Sequence, residues 1–145
     1  MVAVGDKAPE FEAVDHSGSK FQLASTRGAP LILYFYPRAD TPGCTIEAKG
    51  FRDVYPEYRA KHVQIVGVST DDCPAQQAFR DKYGLPFPLL ADHDQKVSKL
   101  YGVLSPKGAA RRVSFYIDPA GTVTEIVDGS PDLQLDRARA AFLTK

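Results

Sequence analysis

Apolar positions follow two rhythms along this chain. Leu31 to Tyr36 is a continuous apolar run, and Val63 to Ser69 is nearly one. Runs of this kind predict strands buried on both faces. Between them Ile46, Phe51, Val54, Tyr55 and Tyr58 recur at roughly helical spacing. Pro42 suits the first position of that helix, and Pro56, late in the pattern, kinks or ends it. A polar turn from Thr70 to Cys73 follows the second strand. Pro74 then opens a helix that runs to about Tyr83 and stops at Gly84. Leu89 to Ala91 reads as a short strand, and Asp94 to Tyr101 as a short helix ended by Gly102. Arg112 to Asp118 and Thr122 to Val127 flank Pro119-Ala120-Gly121, a hairpin signal. Phe11 to Val14 and Lys20 to Leu23 flank Asp15-His16-Ser17-Gly18 and predict a second hairpin at the N-terminus. A last helix is expected from about Asp132 to Leu143.

This order predicts an α/β architecture of the thioredoxin-like kind. A central mixed sheet is flanked by helices, an N-terminal β-hairpin precedes it, and residues 1–145 form a single domain. The first two buried strands are joined by a helix and should be parallel. Sites in open α/β sheets lie at the carboxyl ends of such strands. Cys44 follows the end of one and Cys73 the end of the other. Arg112 begins a strand expected to run antiparallel, so its start falls on the same rim.

Composition narrows the function classes. The chain has 145 residues, 43% hydrophobic and 25% charged, with 18 basic and 18 acidic side chains and a net charge of zero. Nucleic acid and anionic membranes both recruit a basic excess, which is absent. No apolar run approaches the ~20 residues of a membrane helix. The first residues carry no secretion pattern, so a cytoplasmic location is expected. The two cysteines do not make a disulfide scaffold and are too few for a four-ligand zinc site. His16, His62 and His93 lack ligand spacing, so no metal and no other cofactor is expected. Asp92-His93-Asp94 reads as a solvated turn and helix cap. A monomer is the expected state.

The candidate chemistry centres on Cys44. With Thr41 as N-cap and Pro42 first in the helix, Cys44 falls in the first turn. The Thr41 hydroxyl can there accept a bond from the amide of Gly43 or Cys44. The free amides and the dipole of that turn favour a thiolate. Arg112 and Arg38 can add positive charge, and Glu47, one turn on, is expected to pair with an arginine and orient it. Thr41 stands where the first cysteine of a Cys-x-x-Cys pair would be, so this is not a dithiol motif. A lone thiolate suits attack on a peroxide, with Thr41, the Cys44 amide and Arg112 as donors to the two oxygens. The product is a sulfenic acid. Blander readings stand beside these: Pro37 as a strand terminator, Thr41 as a cap only, Arg112 as a surface arginine with Arg111 adjacent, Cys73 as an incidental thiol.

The pattern Pro37-x-x-x-Thr41-x-x-Cys44 resembles the active-site signature of the peroxiredoxins. Tyr34-Phe35-Tyr36-Pro37, Asp40-Thr41-Pro42-Gly43-Cys44-Thr45 and Glu47-Ala48 are similar to the peroxiredoxin Q / bacterioferritin comigratory protein subfamily. So are Val68-Ser69-Thr70-Asp71, Phe87-Pro88-Leu89-Leu90-Ala91-Asp92, Tyr101-Gly102-Val103 and Arg112-x-x-Phe115-x-Ile117-Asp118. The resemblance covers nearly the whole chain. It implies a thiol-dependent peroxidase for hydrogen peroxide and organic hydroperoxides, reduced by thioredoxin or a similar thiol. Cys44 is then the peroxidatic cysteine, Thr41 bonds substrate, Pro37 shields the sulfur, and Arg112 holds thiolate and peroxide together.

One departure matters. Many members of the subfamily carry a resolving cysteine five residues after the peroxidatic one, and here that residue is Lys49. Cys73 is the remaining candidate for an internal disulfide, and bonding would require the first turn of the Cys44 helix to unwind. The alternative is one-cysteine cycling with an external thiol. A different class of function, a peroxide-sensing or chaperone-like redox switch, would stop after one equivalent of oxidant.

Overall fold

The computed structural model describes residues 2–144, leaving Met1 and Lys145 outside. Near the N-terminus β1 (Glu12–Val14) and β2 (Lys20–Gln22) pair antiparallel. Their turn is held by the Asp15 carboxylate, which accepts from the amides of Ser17 and Ser19. A short 3-10 turn, Leu23–Thr26, leads into β3 (Leu31–Phe35). No side chain of β3 reaches solvent, as its unbroken apolar sequence requires.

The remaining elements are α1 (Pro42–Asp53), α2 (Tyr55–Ala60), β4 (Gln64–Ser69), α3 (Cys73–Tyr83) and β5 (Leu89–Ala91). They are followed by α4 (Lys96–Leu100), β6 (Val113–Ile117), β7 (Val123–Asp128) and α5 (Pro131–Phe142). The main sheet has five strands in the order β5-β4-β3-β6-β7. β3, β4 and β5 run parallel, and β6 pairs antiparallel with both β3 and β7. This is the expected mixed sheet with a separate N-terminal hairpin.

Alternation along β3 sorts the core into two layers. Leu31, Leu33 and Phe35 face the hairpin and α4, where they meet Val66, Val68, Leu90, Tyr101 and Phe115. Ile32 and Tyr34, with Tyr36 beyond the strand end, face the long helices and pack with Cys44, Phe51, Tyr58, Phe79 and Ala138. Helices α1, α3 and α5 therefore share one face of the sheet. The ends of β3 and β4 and the start of β6 lie on one edge, because Phe35 registers with both Val68 and Val113.

Several boundaries differ from expectation for physical reasons. Pro56 does not kink a continuous helix; the chain breaks at Val54, and Pro56 sits in the first turn of α2, where its missing N–H costs nothing. Cys73 is not in the turn but is the first residue of α3. The Asp72 carboxylate caps that helix by accepting from the Ala75 amide, 2.9 Å. The short fourth helix starts late, at Lys96. Asp92 is buried rather than solvated; it accepts from the amides of Val97 and Ser98 and from the Ser98 hydroxyl. His93 and Asp94 are exposed. Arg112 lies one residue ahead of β6.

Gly67 in β4 shows how closely the helix-side layer is packed. A Cβ there would lie 2.9 Å from Tyr34 Cζ and 3.0 Å from Leu89 Cδ2. Both neighbours belong to buried strands and have no free volume to retreat into. Gly67→Ala is therefore expected to destabilise the protein by about 1–3 kcal/mol, measured as a lowered urea midpoint with an unchanged slope.

Candidate active site

The end of β3 delivers the chain to a tight loop, residues 37–41, before α1. Asp40 in this loop adopts a left-handed conformation, φ 57°. The loop is fastened on both sides of that residue. The Ala39 amide donates to Asp71 Oδ2 at 2.7 Å, and Asp71 Oδ2 also accepts from the Ser69 hydroxyl at 2.6 Å. Asp40 accepts from the Tyr83 hydroxyl and from Lys82 Nζ. Deeper in, the Tyr36 hydroxyl donates to Gln76 Oε1 at 2.6 Å, while Gln76 Nε2 donates to the Leu90 carbonyl.

Thr41 is the N-cap residue of α1 by backbone, and its carbonyl accepts the first helical bond from the Thr45 amide. Its hydroxyl does not cap the helix as expected. It donates instead to the Arg38 carbonyl, 2.8 Å, because the left-handed turn at Asp40 brings that carbonyl back within reach. The first-turn amides are left without a side-chain cap.

Cys44 sits in this first turn, 1% exposed. Arg112 Nη2 donates to its Sγ at 3.4 Å, and Nη1 of the same guanidinium donates to Glu47 Oε1 at 2.7 Å. One planar fork thus spans two acceptors a helical turn apart on α1. Gly43 makes room for it: a Cβ there would lie 3.0 Å from Arg112 Nη2. Arg112 reaches the sulfur from just ahead of β6, while its neighbour Arg111 turns elsewhere, onto Asp128. Arg38 is exposed, so Arg112 is the arginine on the sulfur. Pro37 is half-buried at the strand end.

Glu47 is fully buried, and among the described residues its Oε2 has no hydrogen-bond partner. Burial pushes its carboxyl up to about 7, against the opposing pull of Arg112. Arg112 is held above its ordinary value by the negative charge of Cys44 and Glu47, which outweighs its own partial burial.

Cys73, the other thiol, is half-buried at the start of α3, and neither cysteine is in a disulfide. It shares the sheet edge with Cys44 but belongs to a neighbouring helix. Sequence reasoning thus located Cys44, Arg112 and Glu47, which the fold brings together. It missed the residues that hold them. Gln134 of α5 is buried, accepts from the Ser114 hydroxyl, and donates to the carbonyls of Val127 and Arg112. Asp71 and Tyr83 fasten the loop. The one available signal was Asp71 in the Ser69-Thr70-Asp71 segment.

The sequence profile of the AhpC/TSA family matches residues 4–126. The chain belongs to that family. Peroxiredoxin bcp1 of Schizosaccharomyces pombe is 36% identical, over 97% of this chain and 74% of its own length. The chloroplastic peroxiredoxin Q of Triticum aestivum is 39% identical over 86% of this chain, which spans only 58% of that longer protein. Among solved structures, peroxidoxin BcpB from Mycobacterium tuberculosis superposes with a TM-score of 0.91 at 33% identity, covering 97% of this chain and 96% of its own. The bacterioferritin comigratory protein of Xanthomonas campestris superposes at 0.85 with 28% identity, covering 90% and 88%. Peroxiredoxins are thiol-dependent peroxidases, and the fold and sequence of this chain are theirs.

The raised Glu47 carboxyl has a consequence for stability. The folded protein keeps that proton up to about pH 7, while an unfolded glutamate releases it near 4.5. Between these values the folded state binds more protons, so stability falls as pH rises. Glu47→Gln cannot ionise and removes this slope. Relative to the variant, the wild type should lose on the order of 2 kcal/mol between about pH 4.5 and 7.5, measured by urea unfolding across a pH series. Equal slopes in the two proteins would contradict it.

Proposed function

We propose that this chain reduces hydrogen peroxide and organic hydroperoxides through Cys44. The observation that carries the reading is the Arg112 guanidinium placed on a first-turn sulfur, 3.4 Å from Sγ. Sγ attacks one peroxide oxygen as a thiolate; the S–O bond forms as the O–O bond breaks. Sulfur is oxidised to a sulfenic acid, and the departing oxygen takes a proton to leave as water or an alcohol. Arg112 and the Cys44 amide polarise the oxygens and hold them in line. The Thr41 hydroxyl bonds the substrate; its lone pairs stay available while its proton lies on Arg38. Pro37 shields the sulfur, and Glu47 orients Arg112. Organic substrates are favoured by the Xanthomonas campestris relative, a structure described for alkyl peroxide reduction.

Cys73 resolves the sulfenic acid in this reading. Its thiol attacks Cys44 Sγ, the S–S bond forms, and water leaves. A dithiol of the thioredoxin type then reduces the disulfide. The thiol-rich cytoplasm suits such a cycle, and the protein works as a monomer within one domain, with no metal or other cofactor.

Steady-state peroxide consumption with thioredoxin tests these roles. Cys44→Ser should lose activity to background. Cys73→Ser should keep stoichiometric reduction of peroxide but lose at least about 90% of thioredoxin-linked turnover, a conventional scale for removing an acting nucleophile. After one equivalent of peroxide, wild-type intact mass should fall by two hydrogens. A persistent added oxygen, or full turnover by Cys73→Ser, would assign resolution to an external thiol.

A further inference from the structure

Cys44 and Glu47 lie one turn apart on α1, and both are buried. Each bonds to the same guanidinium, Cys44 Sγ to Nη2 at 3.4 Å and Glu47 Oε1 to Nη1 at 2.7 Å. The second carboxyl oxygen, Glu47 Oε2, is enclosed and has no hydrogen-bond partner among the described residues. An ionised carboxylate with one oxygen bare in the interior costs free energy, because the lost hydration of that oxygen is not offset. The neutral acid avoids much of that cost.

The surroundings add no second charge. β3 contributes the hydroxyls of Tyr34 and Tyr36, β6 that of Tyr116 and α2 that of Tyr58, and burial pushes all four up, so they keep their protons. The buried polar side chains that α3 and α5 add to this layer, Gln76 and Gln134, are neutral and bonded elsewhere. Arg111 is paired with Asp128, and Arg38 is exposed. Among the described residues, Arg112 is the one cation bonded to either acid. One cation offsets one negative charge. A thiolate and a carboxylate on the same guanidinium would leave a second charge facing the first in a site that water screens little.

We propose that Cys44 and Glu47 share one proton across Arg112, so that the thiol ionises as Glu47 is protonated, and Glu47 gives that proton up when the sulfur is oxidised. The upward displacement of the Glu47 carboxyl, to about 7, agrees in direction. The proposal deepens the reading of Cys44 as the peroxidatic thiol and rests on it. Before reaction the pair carries one negative charge, on sulfur in the reactive form. Attack forms the S–O bond, breaks the O–O bond and sends its electron pair to the departing oxygen, which takes one proton. The sulfur is now a neutral sulfenic acid and no longer competes for Arg112. Glu47 then ionises and keeps the guanidinium paired. The proton it releases balances the one the departing oxygen takes. Without that carboxyl, solvent must supply the proton.

Glu47→Gln tests this, because the amide still offers Arg112 an oxygen but cannot hold the proton. Both proteins carry Cys73→Ser, so that one thiol titrates. In the reduced state, the ultraviolet absorbance of the thiolate should appear about one to two pH units lower in the glutamine variant. If Glu47 only orients Arg112, the thiolate appears at the same or a higher pH in the variant, and that result overturns the proposal. A second readout counts protons with a pH indicator in weak buffer near about pH 7.5, after one equivalent of hydrogen peroxide, while intact mass counts the oxygen added to Cys44. The protein with Glu47 should take up about a third of a proton or less per oxygen added, and the variant about one. Equal uptake by the two would overturn the shared proton. No oxygen added to Cys44 in either protein would overturn the peroxidatic reading instead, and the thiolate titration would still decide the shared proton.

Discussion

One guanidinium organises the candidate site. Arg112 comes from the antiparallel side of the sheet and its two acceptors, Cys44 and Glu47, from the helix after the central parallel strand. A buried carboxylate beside a buried sulfur would repel it as an anion, and a single cation between them removes that conflict. The arrangement is costly to disturb from either side. Removing one partner of a buried pair typically costs 3–5 kcal/mol, about the scale of a domain's spare stability. Glu47 is fully enclosed while Arg112 is only partly buried, so the pair falls short of that limit. Its purpose is orientation more than strength, since a fork held at one prong has little freedom at the other.

The sheet order is what makes the meeting possible. Phe35 registers with Val68 on one side and Val113 on the other. The carboxyl ends of two parallel strands and the amino end of an antiparallel one therefore share an edge. Three segments distant in sequence supply a thiol, a second thiol and a cation to one rim. The apolar β3 run is the physical cause, because only a central strand, covered on both faces, can be so uniformly hydrophobic.

The elements legible in the sequence were those set by short-range chemistry. Unbroken apolar runs announced β3 and β4, Gly84 announced the end of α3, and Pro42 announced the start of the helix that carries Cys44. The choice between Arg111 and Arg112 is made only in the structure, where one turns to Asp128 and the other to the sulfur. What could not be read depends on long-range approach. The Thr41 hydroxyl looked like a cap because local geometry permits it, but the left-handed Asp40 offered a nearer carbonyl. Asp92 looked solvated by composition, yet it is buried where α4 turns its free amides inward. Tyr83 and Gln134 carry no local signal at all; each matters only through what the fold lays against it.

Gln134 has a consequence for where the working unit ends. The family profile stops at residue 126, within β7. The amide that supports the Arg112 backbone comes from beyond it, on α5, and also secures Ser114 and Val127. The C-terminal helix is thus a buttress of the rim that carries Cys44 and Arg112 rather than an appendage. A chain trimmed to the profile would retain Cys44 and Arg112 but lose the strut beneath the arginine's main chain.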